Sequence, residues 1–501
     1  MKSQFQKQIV FVLLAVIILS AGVIRADEPA RLSISVLKPG AEISTNVLGL
    51  SYETSLMLPD TNGVHYFRPN NRPLVAIFKT LGVKSLRIGG NSVDAPNVPV
   101  PSEKDVMSFF EFARVAGVKV IYSVRLEEPK EGGVNTNSSP TPGSMANAQS
   151  AAQFAKLIHH HYAGVLDCFA IGNEPGYFRD YNVYSAKWKA IHDAIIAVWP
   201  DAQFCGPDQN PSPALDKKMV RDFANASGGL KMITQHSYPF GCSYRNPQAR
   251  KDITKLVPFD ASESREKMLS SEAYDTYDRI YKGIAGAIAG SSVSYRLTEA
   301  NSFWFSGLKG ASDSYASALW AVDYLYWWAD HGAAGVNFHT GDRTGGDLAM
   351  ICRYAAFVTS PHGYEVRPLG YGMKLFDFGG HGRQLPVAIS SATNLVAYAT
   401  SKDGSVAVTL INKAHGVAAN NLDVQIKFDR PLIRTTAQVI FLKASNGDIA
   451  AGSSDITLGG ASIKEDGTWR GHWTPLAISD DHTISVSMPR ASAAVIRATL
   501  K

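Results

Sequence analysis

Between about residues 45 and 340, short apolar runs alternate with longer amphipathic stretches, and this alternation constrains the fold more than any other feature of the chain. The runs Val47–Glu53, Ser85–Ile88, Lys119–Val124, Leu166–Ile171, Ala202–Gly206, Met232–His236, Tyr295–Thr298 and Gly335–Phe338 have strand length. Helical periodicity fills the gaps at Pro73–Leu81, Lys104–Ala116, Ala148–Tyr162, Ser185–Val198, Ala214–Ala226, Ser264–Ala289 and Ser314–His331. Eight strands alternating with helices predict an α/β fold, a parallel (β/α)8 TIM barrel rather than an open doubly wound sheet. No G-x-G-x-x-G follows the first run, which removes the main sign of a dinucleotide-binding sheet.

After Pro368 the texture changes. Residues 384–501 carry period-2 runs such as Leu395–Thr400, Val406–Ile411, Val424–Phe428 and Thr483–Met488, with turn signals at Asp403-Gly404 and Asn446-Gly447. This pattern predicts an antiparallel β-sandwich, and the alternating segment Leu32–Ser44 is expected to join it from the other end of the chain. The expected layout is a leader at 1–26, a strand segment at 27–45, a barrel at 46–375 and a sandwich at 376–501. The insertions Arg125–Ala146 and Phe240–Glu263 follow strands 3 and 6, where they are expected to line or cover a cleft.

Lys2 and Lys7 precede the apolar run Ile9–Leu19 and then small residues, the pattern of a secretory signal cleaved after Ala21 or Ala26. A secreted or periplasmic protein without a stable membrane anchor is therefore expected. Removal of Lys2, Lys7 and Arg25 takes the formal charge from +5 to +2. So near a balance argues against nucleic acid as a partner. None of the four cysteines, Cys168, Cys205, Cys242 and Cys352, shows metal-ligand spacing. Cys168 and Cys205 lie in apolar runs, so both are expected as buried free thiols.

Two glutamates carry the chemistry. Glu174 in Phe169-Ala-Ile-Gly-Asn-Glu-Pro175 and Glu299 in Tyr295-Arg-Leu-Thr-Glu-Ala-Asn-Ser302 each close an apolar run and open a turn. Catalytic groups of a (β/α)8 barrel sit at these strand ends, and two facing carboxylates are the minimum equipment for splitting a glycosidic bond. Glu53, Asn91, His236 and His339 also sit at strand ends, and Trp304 just beyond strand 7; all are candidates for sugar contacts. Arg87, inside strand 2, is expected to neutralise a buried barrel acid, with pairing to a catalytic carboxylate as the alternative. Consecutive residues of a helix point about 100° apart, so His159-His160-His161 does not converge on one ion. The cluster Tyr324–Trp328 reads as a packing face, and no G-x-S-x-G or P-loop lysine occurs. No cofactor or metal is expected.

Together Asn173-Glu174-Pro175, Thr298-Glu299-Ala300-Asn301-Ser302, Gly49-Leu-Ser-Tyr-Glu53, Leu86-Arg-Ile-Gly-Gly-Asn91, Gly335-Val-Asn-Phe-His339 and Val366-Arg-Pro-Leu-Gly-Tyr-Gly372 resemble glycoside hydrolase family 79. These are the β-glucuronidase and heparanase-like enzymes, and the resemblance spans the chain after the leader. It implies Glu174 as general acid/base, Glu299 as nucleophile, Asn173 on the sugar 2-hydroxyl, and Tyr238 hydrogen-bonded to the nucleophile. It further implies a β-glucuronidase for terminal glucuronic acid or its 4-O-methyl form, and the modest charge and two long insertions favour a closed, exo-acting pocket. A tyrosine and backbone amides from the loops after strands 7 and 8 would then hold the substrate carboxylate. Here Trp304 stands where that tyrosine is expected, and Thr340–Gly346 has none, leaving Lys309, Arg343, Ser306 or the Gly307 amide. A neutral sugar such as xylose or glucose, an endo-acting heparanase-like activity and a non-catalytic carbohydrate-binding protein stay open.

Overall fold

The computed structural model describes residues 28–126, 142–178, 180–209, 221–225, 230–250, 252–341, 351–390 and 394–501. The expected leader, most of the insertion after strand 3, most of the Ala214–Ala226 helix and Arg343 lie outside the described residues. Eight parallel strands close into a barrel: strand 1 (Leu48–Glu53), 2 (Ser85–Gly89), 3 (Lys119–Val124), 4 (Leu166–Ile171), 5 (Phe204–Gln209), 6 (Leu230–Ser237), 7 (Ser294–Ala300) and 8 (Val336–His339). Strand 8 pairs with both strand 7 and strand 1, which closes the ring. Among the described residues no helix is long and apolar enough to cross a membrane.

Strand 5 differs from the sequence expectation. It begins two residues later than Ala202 and runs through Pro207 to Gln209, carrying Asp208 to the barrel rim. A proline normally demotes a strand interior, because it donates no ladder hydrogen bond. Here strand 5 pairs with strand 6 through a register shift between Pro207 and Gln209. The single helix expected over Ser264–Ala289 is two, Ala261–Leu269 and Ala273–Ile288, because Ser270 turns extended. An unexpected helix, Pro368–Gly379, follows strand 8. Its Gly370 and Gly372 break helix propensity, but a Cβ there would collide with the carbonyls of Ala356 and Ala318. Close approach of the Ala318 helix at Gly372, and of the segment before Phe357 at Gly370, selects glycine.

The C-terminal sheets contain strands from both chain ends. Ala30–Ile34 runs between Val387–Ser390 and Leu422–Phe428, while Glu42–Ile43 pairs with Gly382–Leu385 in the larger sheet. Asp403 and Gly404, at φ 50° and 75°, form the two-residue hairpin between Leu395–Lys402 and Ser405–Asn412.

The helix Tyr315–Asp330 is buried on nearly every face, because the barrel lies on one side and the sandwich on the other. Asp323 of this helix accepts from Lys413 Nζ at 2.6 Å, Tyr274 Oη at 2.7 Å and Tyr398 Oη at 2.6 Å. This buried group ties the helix to the adjoining Ala273–Ile288 helix and to the sandwich. The aromatic cluster at 324–328 is packing: Tyr326 stacks on Tyr398 with ring centres 4.5 Å apart.

Cys168 and Cys205, expected as free thiols, form a disulfide between strands 4 and 5, with Cα atoms 6.0 Å apart. Pairing of the neighbouring strands 4 and 5 brings together side chains 37 residues apart in sequence, which an apolar run does not announce. Cys242 and Cys352 take no part in this bridge.

Candidate active site

Strand 4 ends at Ile171, and Gly172 (φ 78°) and Glu174 (φ 44°) turn the chain sharply over the barrel mouth. The Asn173 amide N–H donates to Asp94 Oδ2 and the Glu174 amide N–H to the Asp208 carbonyl, each at 2.9 Å. The left-handed turn is therefore held from both sides, which fixes where the Glu174 carboxyl points. Its Oε1 lies 2.8 Å from His236 Nδ1.

Glu299 comes from strand 7 and is gripped on both oxygens. Oε1 accepts from the Tyr238 hydroxyl at 2.8 Å, and Oε2 accepts from Arg87 Nη1 at 2.8 Å. Arg87, wholly buried on strand 2, also donates through Nη2 to Asn173 Oδ1 at 2.7 Å and Asp208 Oδ2 at 2.9 Å. It was expected to neutralise a barrel acid; it does so at Asp208 and pairs with Glu299 as well. Asp208 Oδ1 accepts from the Thr298 hydroxyl at 2.6 Å.

These contacts set the charges. Burial alone would push the Glu299 carboxyl up, but His339, His236, Arg87 and the Tyr238 hydrogen bond together hold it well below the usual carboxylate range. Asp208 shows the same competition, with Arg87, His236 and Thr298 outweighing burial. Burial pushes the His236 imidazole down, yet the Glu299 charge and the Glu174 hydrogen bond raise it above its ordinary value. Burial and the Glu299 charge push Tyr238 far up, so its hydroxyl stays a donor. The Glu174 side chain is 27% exposed against 9% for Glu299. One carboxylate is buried and firmly ionised; the other is open to the mouth.

Asn173 is fixed at both ends of its amide, since its Nδ2 donates to Asn91 Oδ1 at 3.2 Å. Glu53 accepts from the Ser92 amide N–H at 2.8 Å and lies 3.7 Å from His339 Nε2. His339 Nδ1 is 3.7 Å from Glu299 Oε2. His236, expected as a sugar contact, is instead wholly buried and turned onto Glu174. Trp304 is 39% exposed, and its backbone is pinned by the Gly241 carbonyl and the Ser243 side chain. Gly307 (φ 82°) is buried against Tyr354, with no room for a side chain.

Two residues of the site had no sequence signal. Asp208 was hidden behind Pro207. Tyr354, on the segment after strand 8, is buried with its ring centre 6.2 Å from that of Tyr238 and 6.1 Å from that of His339. It lies beyond the Thr340–Gly346 loop in which a tyrosine was sought.

Glu174, His236 and Glu299 offer three ligand atoms within 4.8 Å of one another. A cation there would displace the His236–Glu174 hydrogen bond and face the fixed Arg87 charge, so this donor set fits proton transfer better than metal binding.

No family model matches the chain, and no curated protein does. Solved structures do. A 4-O-α-L-rhamnosyl-β-D-glucuronidase from Fusarium oxysporum 12S, in complex with Rha-GlcA, superposes with TM-score 0.67 at 15% identity, over 93% of this chain and 99% of the other. A GH39 enzyme from Xanthomonas axonopodis pv. citri gives 0.64 at 13% identity, over 94% and 97%. A GH51 arabinofuranosidase from the same organism gives 0.60 at 14% identity, over 94% and 100%. The chain thus has the fold of these glycoside hydrolases, a (β/α)8 barrel carrying a β-sandwich.

Proposed function

We propose that the protein is a retaining β-glycosidase, an exo-β-glucuronidase releasing terminal glucuronic acid or its 4-O-methyl form. The observation that carries the reaction class is the separation of the two glutamates, which bring a carboxylate oxygen each within 4.8 Å. Retaining enzymes hold their carboxyls about 5–5.5 Å apart, whereas inverting enzymes need about 6.5–9.5 Å to admit a water. Glu299 attacks the anomeric carbon while Glu174 gives its proton to the departing oxygen. Glu174, now ionised, then takes a proton from the water that releases the sugar and restores the Glu299 carboxylate. The exposure difference suits these roles, since the acid/base must meet both leaving group and water.

The uronic acid rests on the motif resemblance and on the glucuronidase among the structures of like fold. Phe305, Ser306 and Gly307 are consecutively left-handed, at φ 73°, 63° and 82°. The Gly307 amide of this turn is the backbone donor that the reading offers to the substrate carboxylate. The apolar leader pattern adds export to the proposal.

A neutral sugar is the second reading, favoured by Glu53. Its carboxylate lies 3.7 Å from His339 at the same mouth and would repel a uronate. The deciding experiment is hydrolysis of nitrophenyl β-glucuronide, β-glucoside, β-xyloside and α-L-arabinofuranoside by wild type and Glu299→Ala. Selective cleavage of the glucuronide, lost in the variant, is expected. Preference for a neutral sugar would keep the glutamates and discard the uronic acid. A fully active variant would overturn the mechanism.

A further inference from the structure

Resting on that retaining mechanism, a second requirement follows from charge. Arg87 is a wholly buried cation with two anionic partners, Glu299 at 2.8 Å and Asp208 at 2.9 Å. Its other acceptors, Ser51 Oγ at 3.1 Å and Asn173 Oδ1 at 2.7 Å, are neutral. When Glu299 attacks the anomeric carbon, its oxygen becomes an ester oxygen and the bond to the leaving group breaks. That leaving oxygen takes the Glu174 proton, and Glu299 goes from one negative charge to none. A buried guanidinium whose only anion was Glu299 would then be orphaned, and stripping one partner from a buried ion pair is strongly destabilising.

We propose that Asp208 is the standing counter-ion of Arg87 in the glycosyl-enzyme intermediate, a positioning residue that keeps the guanidinium paired while Glu299 is esterified. The geometry is built for permanence. Asp208 is wholly buried, its Oδ1 is held by Thr298, and its amide N–H donates to Thr234 Oγ1 at 2.9 Å. Its backbone is left-handed at φ 54°, and its carbonyl receives the Glu174 amide, so the same residue fixes the acid/base turn. Loss of the Asp208 charge therefore raises the intermediate and the transition state leading to it. It spares the free enzyme, in which Glu299 still neutralises Arg87. Hydrolysis of the intermediate, which regenerates the Glu299 carboxylate, is not slowed.

The test is Asp208→Asn with a 2,4-dinitrophenyl 2-deoxy-2-fluoro-β-glycoside of the sugar that wild type prefers. An asparagine amide turned so that its oxygen faces Arg87 and its nitrogen faces Thr298 keeps both hydrogen bonds and loses only the charge. The inactivation rate, which reads formation of the intermediate, is expected to fall by about 30-fold or more, while reactivation is unchanged or faster. Equal falls in both rates, or no fall in inactivation, would overturn the proposal. Should D208N not fold, the crystal structure of the trapped wild-type adduct decides: Arg87 must still be bonded to Asp208. A guanidinium that has left Asp208 for another group would refute it. Absence of any adduct on Glu299 in wild type would instead sink the retaining mechanism itself.

Discussion

The Tyr238 hydroxyl donates to Oε1 of Glu299 at 2.8 Å, on the carboxylate oxygen opposite the one held by Arg87. The nucleophile is thereby locked against rotation about its last torsion. Tyr238→Phe removes that lock without removing the ring. It is expected to lower kcat about 10- to 100-fold, with KM within about 3-fold, because orientation of the attacking oxygen matters in the transition state. Steady-state kinetics on an activated aryl glycoside checks this, and an unchanged kcat would show that Arg87 alone sets the orientation.

Glu174→Ala separates acid from base. Dinitrophenolate leaves without a proton, so the first step on that aglycone should survive, whereas alkyl glycosides should lose about 100- to 10,000-fold. Azide is expected to restore turnover of the dinitrophenyl substrate by replacing the activated water. Equal losses on both leaving groups would remove Glu174 from the acid role.

The depressed carboxyl of Glu299 predicts a pH-dependent stability with a definite sign. Protons bind the unfolded chain more readily than the folded one at this group, so its contribution is present above about pH 4.3 and fades as pH falls toward the folded value. Glu299→Gln should therefore melt below wild type at pH 7, and the gap should narrow progressively below about pH 4. Melting temperatures from pH 3 to 7 test it. A variant more stable than wild type at pH 7 would mean that desolvation of Glu299 outweighs its pairing with Arg87.

At the junction of barrel and sandwich, Lys413→Met should destabilise the protein by about 3–5 kcal/mol. Buried Asp323 would lose its cationic partner and keep the Tyr274 and Tyr398 hydroxyls. Restoring neutrality with Asp323→Asn in the same chain should recover part of the loss. Urea unfolding of the two single variants and the double variant gives the coupling, and strict additivity would argue against a functional pair.

The disulfide between strands 4 and 5 closes a loop with a sequence separation of 37. Cys168→Ala with Cys205→Ala is expected to cost about 3 kcal/mol, mostly through a less restricted unfolded chain. An unchanged unfolding midpoint, read by urea titration under oxidising conditions, would show that the thiols are not linked in solution.

Sequence alone determined the parts that repeat locally. Each barrel strand is a short apolar run, and Glu174 and Glu299 mark the ends of two of them, so the (β/α)8 fold was legible from alternation. The two-residue hairpin at Asp403-Gly404 was legible for a similar reason, since its turn chemistry lies in adjacent residues. Tertiary structure decided everything that depends on closure. Asp208 reaches the rim only because strand 5 continues past Pro207, and Tyr354 enters the site from a segment beyond the expected loop. Arg87 meets Glu299 and Asp208 across 212 and 121 residues of chain, and the cysteine pair meets across the gap between neighbouring strands. Gly370 and Gly372 stand in a helix against their propensity, because neighbouring backbone leaves no room for a side chain at either position. Local pattern fixes which residues stand on a strand and where it ends. Which charges face one another in the buried mouth is set by closing the barrel, and a one-dimensional pattern carries no record of those distances.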